Sequence, residues 1–178
     1  MYRTVPFALS IITSALVITL ILSAVVASCT FFMIGLQNNF GRYYVGVFTN
    51  FFFVEIAVIL TSLVVSNHVT GIIVVLAYVA CGVMVEGYFM VVDRISWIVR
   101  WLAYVTPQRY IFRAIMRNEY ETPRNFTQSA LYPTGEAVLR FYFENDEGIE
   151  TYWADIGISW IFTCVNMVLL VLVLRRYY

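Results

Sequence analysis

Lysine is absent from this chain of 178 residues, and histidine occurs only once, at position 68. A phosphate loop of the Gly-x-x-x-x-Gly-Lys type needs a lysine, so the chain cannot bind and hydrolyse ATP by that route. A single histidine cannot build a multi-histidine metal site, and no Ser-His-Asp or Cys-His set is apparent for nucleophilic catalysis. We therefore expect no catalytic residue, no metal site and no cofactor in this chain.

Cysteine and charge are also scarce. Cys29, Cys81 and Cys164 lie apart in apolar runs, which favours neither a disulfide framework nor a zinc site. The eleven basic residues, all arginine, balance eleven acidic residues, so the net charge gives no reason to expect nucleic acid as a partner. Apolar residues make up 61% of the chain and charged residues only 12%, a composition typical of membrane proteins.

Four apolar stretches are long enough to cross a bilayer, since a span needs about 20 apolar residues. The uncharged run between Arg3 and Arg42 is too long for one upright helix, and Pro6 with the polar spacing after it predicts that the run starts along the interface. The predicted spans are about 15–36, 43–65, 72–92 and 153–174. A secretory signal peptide is a less favoured reading, because the run exceeds the about 7–15-residue apolar core of a signal.

The segment 94–120 is amphipathic and divides at Pro107, because proline lacks the amide donor that a helix interior needs. We predict two short helices joined by a tight turn. One face of the first is apolar: Trp97, Ile98, Trp101, Leu102 and Val105. The second has an apolar stripe and an opposite arginine edge: Ile111, Phe112, Ile115 and Met116 against Arg109, Arg113 and Arg117.

Aromatic rings with a polar edge settle at the headgroup level, and arginine can reach from lipid to water. We therefore interpret the segment 94–120 as a re-entrant or interfacial hairpin, with an ordinary pair of surface helices as the alternative. The segment 121–151 is expected to be solvent-exposed, with a short helix over 135–143. It contains the glycosylation sequon of Asn125.

Three polar residues lie inside predicted spans: Asn50, Glu55 and Asn166. An ionised Glu55 without a partner would cost on the order of a few kcal/mol near the middle of a span, so it should face protein or a wet cavity. Its carboxyl is either hydrogen-bonded to hydroxyls or to one of the two asparagines, or part of a polar relay or ion site that couples the helices. Glu86 lies nearer the surface, where pairing with Arg94 or water is easier.

Several short motifs occur in a characteristic order. They are Met33-Ile34-Gly35-Leu36, Glu86-Gly87-Tyr88-Phe89, Trp97 with Trp101, Tyr104-x-x-Pro107-x-x-Tyr110, and Arg117-Asn118-Glu119-Tyr120. This order resembles the G subfamily of ATP-binding cassette (ABC) exporters. The resemblance implies an all-α membrane protein over 1–178, the carboxy-terminal half of an ABC-2 type transmembrane domain. It would comprise four transmembrane helices, a re-entrant helical hairpin and an extracellular loop.

The resemblance also implies roles for individual residues. Leu76, Ala80 and Val83 would line a substrate cavity, and Tyr88 and Phe89 would form an apolar plug above it. Plain helix packing is the alternative for each. Both termini would be cytoplasmic. The sequon agrees with this orientation, whereas the arginine-rich hairpin favours the reverse by the positive-inside rule.

The implied function is export of lipophilic substrates, such as lipids, sterols or xenobiotics, by alternating access, and the implied location is the plasma membrane. ATP and magnesium would bind to nucleotide-binding domains that this chain lacks. The expected partners are membrane lipids, those domains with the first two spans, and a second half-transporter in a homo- or heterodimer. The chain would then be a fragment or a partial copy. A non-catalytic four-span scaffold or partner subunit is the main alternative, and a membrane-bound enzyme is the third.

Overall fold

The computed structural model describes residues 4–65, 67–89, 96–121, 134–143 and 151–177. Its regular elements over these residues are seven helices: α1 Thr4–Ile34, α2 Phe40–Val65, α3 His68–Val85, α4 Trp97–Val105, α5 Pro107–Tyr120, α6 Gly135–Phe143 and α7 Tyr152–Tyr177. Four of them, α1, α2, α3 and α7, are long and apolar enough to cross a membrane. The predicted class, an all-α membrane protein with four spans, is confirmed.

The first helix begins earlier than the predicted span. α1 is continuous from Thr4 to Ile34, and the start of the span near residue 15, with an interfacial segment before it, stays a prediction. Pro6 lies in the first turn, where an amide donor has no intrahelical partner to lose. Ala8 is fully buried against Leu170 and Leu174 of α7, which places this end of α1 alongside the bundle.

A left-handed glycine ends α1. Gly35 has φ +74°, and the amides of Gly35 and Leu36 both donate to the Phe31 carbonyl at 3.1 Å. This arrangement closes the helix end, and only glycine adopts it without strain. The Gly-Leu pair noted in the sequence therefore has a local structural role.

The second helix is the centre of the bundle, because α1, α3, α5 and α7 all pack against it. Phe52 and Ile56 are buried there, and the Phe52 ring lies 5.8 Å from the ring of Trp160 on α7. α3 crosses α2 closely at Gly71, where an added Cβ would lie 2.9 Å from the Cα of Ser62. Replacing Gly71 would therefore force these two helices apart.

The third span is shifted relative to the prediction of 72–92. α3 starts at His68, where the Asn67 side chain accepts a hydrogen bond from the Val69 amide at 3.0 Å, and it ends at Val85. Gly87, with φ 112°, turns the chain just after the helix. The sequence stays largely apolar past Val85, but the helix does not continue, because Gly87 adopts a positive φ that ends helical geometry.

The hairpin divides where the sequence predicted. Thr106 is extended, with φ −90° and ψ 125°, and Pro107 opens α5. α5 then packs between α2 and α7, while most of the apolar face of α4 remains exposed in the chain. α6 matches the predicted range 135–143 and starts against α5, since a Cβ on Gly135 would lie 2.3 Å from the Tyr120 carbonyl oxygen.

Candidate functional site

The last span holds the hairpin through a buried ion pair. Arg113 of α5 and Asp155 of α7 are only 2% and 0% exposed. Arg113 Nε donates to Asp155 Oδ1 at 2.9 Å, and its Nη2 donates to the same oxygen. Arg117 Nε lies 3.8 Å from Asp155 Oδ2. Neither charge of such a pair is tolerated without the other, so the contact fixes α5 against α7.

The prediction that the arginine edge reaches water is wrong for two of its three arginines. Arg109 and Arg113 are buried, and only Arg117 is partly exposed. The guanidinium of Arg109 lies 4.3 Å above the Tyr104 ring, an attractive cation–π contact. The helical spacing located this edge, but its counter-ion, Asp155, follows 42 residues after Arg113 and no local pattern pairs them.

The Asn-Glu motif at the end of α5 clamps the turn between α1 and α2. Glu119 accepts hydrogen bonds from the backbone amides of Gln37 and Asn38, both at 3.3 Å. Asn118 donates from Nδ2 to the Asn39 carbonyl at 3.1 Å. The turn and the end of the hairpin therefore lie on the same side of the bundle.

The residues expected to line a cavity share an outer face of α3. Leu76 is 59% exposed, Ala80 is exposed and Val83 is half-buried. Their spacing of four and three residues keeps them on one side, away from the face that Gly71 and Val75 press against α2. Within the described part of the chain, Leu76 and Ala80 of this apolar face stay exposed, while Val83 is partly covered.

The expected plug residues lie beyond the helix rather than in it. Tyr88 and Phe89 follow Gly87, and their rings meet edge to face with centroids 5.0 Å apart. The Tyr88 ring also contacts Phe112 of α5 at 5.9 Å. The pair therefore sits where α3 meets the hairpin.

The polar residues inside the spans are not brought together. Glu55 of α2 accepts a hydrogen bond from the hydroxyl of Thr19 of α1, so its partner is a hydroxyl. Asn50 and Asn166 make no hydrogen bond to it in the described structure, and Asn50 Oδ1 is buried without a partner there. His68 is exposed at the start of α3.

Two further sequence predictions concern the hairpin side. Glu86 follows α3 and is half-buried, and its burial raises the pKa of the carboxyl to about 7. Arg94, its expected partner, and Asn125 of the sequon lie outside the described residues. Most of the expected external loop 121–151 does so too, apart from α6 and its flanks.

Comparisons with known proteins agree with this architecture. Residues 1–120 match the family described as ABC-2 type transporter. The chain is 29% identical over 125 residues to ABC transporter G family member 2 of Arabidopsis thaliana, which covers 68% of this chain and 17% of that protein. It is 23% identical over 177 residues to ABC transporter G family member STR2 of Petunia hybrida, or 98% of this chain and 24% of that protein.

A third relative, ABC transporter G family member 6 of Arabidopsis thaliana, is 30% identical over 125 residues, or 68% of this chain and 17% of that protein. The chain thus spans less than a quarter of the length of these relatives. The family match contains α1 to α5, and so includes three spans and the docked hairpin. The chain belongs to the ABC-2 type transporter family, and its relatives and motifs identify it as membrane-domain sequence of the G subfamily.

Proposed function

We propose that this chain is the transmembrane half-domain of a G-type exporter that moves lipophilic substrates, such as lipids, sterols or xenobiotics, by alternating access. The observation that carries the proposal is the outer face of α3. Leu76, Ala80 and Val83 leave an apolar surface uncovered next to a hairpin that is fixed by a buried ion pair. Such a surface suits an apolar cargo or a facing helix that encloses it.

Energy for transport has to come from outside this chain, because no lysine is present for a phosphate loop. Nucleotide-binding domains that hold ATP and magnesium would supply it, together with the first two spans and a second half-transporter, identical or different. Membrane lipids would cover the exposed faces of α1 and α7. The relatives, which are four or more times longer than the matched segment, leave room for such parts.

Tyr88 and Phe89 would act as the plug above the cavity. Two rings in edge-to-face contact close a water path, yet they can part by rotation of their side chains. Their contact with Phe112 would couple opening of the plug to movement of the hairpin. Glu55 would act as a polar coupling point between α1 and α2 through its hydrogen bond with Thr19.

The proposed orientation has cytoplasmic termini, an external hairpin and loop, and residence in the plasma membrane. Buried arginines weaken the opposing charge argument, since Arg113 is neutralised by Asp155 and Arg109 is covered by Tyr104. The positive-inside rule counts free charges in loops, not charges docked in protein. A sugar on Asn125 would follow from this orientation.

Transport by the reconstituted protein tests the proposal. The chain, purified with the polypeptide that supplies its ATP-binding domains, should move a fluorescent lipid across vesicle membranes with ATP and not with a non-hydrolysable analogue. Leu76→Trp should lower the rate about tenfold, as an overpacking cost of about 1.4 kcal/mol in the cavity would. Leu172→Trp, on an exposed face of α7, is the matched control and should leave the rate unchanged.

Equal rates for the two tryptophan variants would remove the cavity assignment. Assembly with the ATP-binding polypeptide but no ATP-driven movement of any lipid would instead favour the non-catalytic partner subunit.

A further inference from the structure

One amide at the meeting point of α3 and α5 is buried without a partner. Gln108 is the second residue of α5 and only 4% exposed. Its Oε1 and Nε2 are both buried, and neither has a hydrogen-bond partner among the residues that the structure describes. Polar groups buried in proteins are almost always paired with protein, water or ligand. A hydrogen-bonding group beyond the described residues is therefore expected at this amide.

The amide occupies a notch in α3. Gly82 is buried, and a Cβ added there would lie 3.0 Å from Oε1 and 3.1 Å from Cδ of Gln108. The absence of a side chain on Gly82 is what lets the amide lie against α3. Val83, the next residue, belongs to the exposed apolar face of α3, so the notch borders that face.

The start of α5 adds donors at the same place. Pro107 is the first helical residue, and the side chain of Thr106 does not cap the helix, because its hydroxyl donates back to the Leu102 carbonyl at 3.1 Å. The amides of the first turn of a helix have no intrahelical acceptors and carry a partial positive charge. An incoming oxygen atom would be stabilised here.

Glu86 lies on the same side of α3, one turn further along. Glu86 keeps helical backbone angles as the residue that ends α3, and residues four apart share a helix face, so Glu86 lies on the side of α3 that carries Gly82. Glu86 is half-buried and has no hydrogen bond or ion pair among the described residues. With its pKa raised to about 7 by burial, the carboxyl is largely neutral in mildly acidic solution.

We propose that Gly82, Glu86 and Gln108 form a polar notch that binds the uncharged hydroxyl head of an otherwise apolar molecule. A hydroxyl can donate to Oε1 of Gln108 and accept from Nε2, so it satisfies both halves of the side-chain amide, and the first-turn backbone amides are further donors for it. The apolar body would lie along the outer face of α3. The inference rests on the proposed function, which makes that molecule the cargo.

Photolabelling tests the notch without ATP. The protein, purified with its ATP-binding partner, is exposed to a photoactivatable long-chain alcohol, to the matching alkane and to the matching carboxylic acid. The alcohol should label peptides of α3 and α5 about fivefold more than the alkane, the ratio expected for about one net hydrogen bond. Equal labelling by alcohol and alkane would mean that only water meets the amide. Stronger labelling by the acid would mean an anion site. Either result overturns the proposal.

Variants assign the preference to Gln108. Gln108→Leu should abolish the preference for the alcohol over the alkane. Gln37→Leu, at an exposed position between α1 and α2, should keep it. If Gln108→Leu does not fold, Gly82→Ala displaces the same amide and should reduce the preference. An unchanged preference in a folded Gln108→Leu or Gly82→Ala protein would overturn the notch.

Failure of this site and failure of the proposed function give different results. A hydroxyl preference that depends on Gln108, in a protein that moves no lipid with ATP, supports the notch and overturns the exporter. ATP-driven transport without any hydroxyl preference supports the exporter and overturns the notch.

Discussion

Charge buried inside the bundle is the main determinant of hairpin position at the residue scale. The side chains of Arg113 and Asp155 are only 3% and 0% exposed, so each charge depends on the other. Arg117 adds a second, longer contact to Asp155. Three charged side chains therefore hold α5 in its docked position, together with the buried apolar residues Ile111 and Ala114.

Removing one partner of this pair should be strongly destabilising. Asp155→Leu is expected to lower the free energy of unfolding by about 3–5 kcal/mol, because it removes the carboxylate that the buried Arg113 guanidinium binds. Thermal unfolding of the purified protein measures the loss. The double variant Arg113→Met/Asp155→Leu should recover most of it, since no charge then remains unpaired in the pair itself.

An exposed ion pair on α6 provides the matched control for the buried pair of Arg113 and Asp155. Arg140 and Glu136 of α6 form a pair with side chains 76% and 72% exposed, and such pairs contribute roughly 0–1 kcal/mol. Arg140→Met should therefore leave the unfolding temperature nearly unchanged. A loss as large as that of Asp155→Leu would show that burial is not the cause.

The carboxyl of Glu86 should make stability depend on pH. Its pKa is raised from an ordinary value of 4.5 to about 7 by burial. The unfolded chain therefore ionises first, and the stabilising contribution, complete below about pH 4.5, is lost as pH rises to about 7. The difference in unfolding temperature between wild type and Glu86→Gln should widen over this window and stay constant above it.

At the element scale, local patterns predicted most boundaries well. The break at Pro107 and the range 135–143 of α6 both follow from short-range rules on proline and helical spacing. α3 ends before the predicted end of its span, because Gly87 turns the chain although apolar residues continue past Val85. α1 starts before its predicted span, because Pro6 is tolerated in a first turn. Hydropathy gives the length of an apolar run, but it does not give the residue at which a glycine ends the helix.

The partners of the site residues were beyond any local pattern. Asp155 with Arg113, and Gln108 with Gly82, join residues that are distant in sequence and meet only because α5 inserts between other helices. The apolar faces were predictable from spacing alone, since a helix repeats every 3.6 residues. Pairing between helices depends on how they pack.

The contact between the end of α5 and the turn that joins α1 to α2 can be tested by removing Glu119. Glu119→Ala removes two hydrogen bonds to the amides of Gln37 and Asn38. Hydrogen exchange at these two amides should accelerate about tenfold, the effect of losing about 1.4 kcal/mol of local stability. Glu121→Ala, at the exposed residue after α5, is the control and should leave the exchange unchanged. Equal rates in both variants would show that the turn is held by other contacts.

On the scale of the whole molecule, the order of the helices fixes which segments share a side. Four spans place both termini together, and the turn between α2 and α3 lies with them. The turn between α1 and α2 lies on the opposite side with the end of α5, as the contact of Glu119 with Asn38 requires. The proposed orientation then assigns the side of the termini to the cytoplasm and the side of the hairpin to the exterior.

Sugar attachment and thiol labelling together determine that assignment. With the hairpin outside, Asn125 should carry a glycan, so enzymatic deglycosylation should reduce the mass of the wild type and leave Asn125→Gln unaltered. A cysteine introduced as His68→Cys lies in the turn on the side of the termini, and an impermeant maleimide should label it only in permeabilised cells. Labelling of this cysteine in intact cells, with Asn125 unmodified, would reverse the orientation. The buried arginines predict a glycosylated Asn125 and an external hairpin. Charges that are paired inside the protein do not oppose translocation of the hairpin.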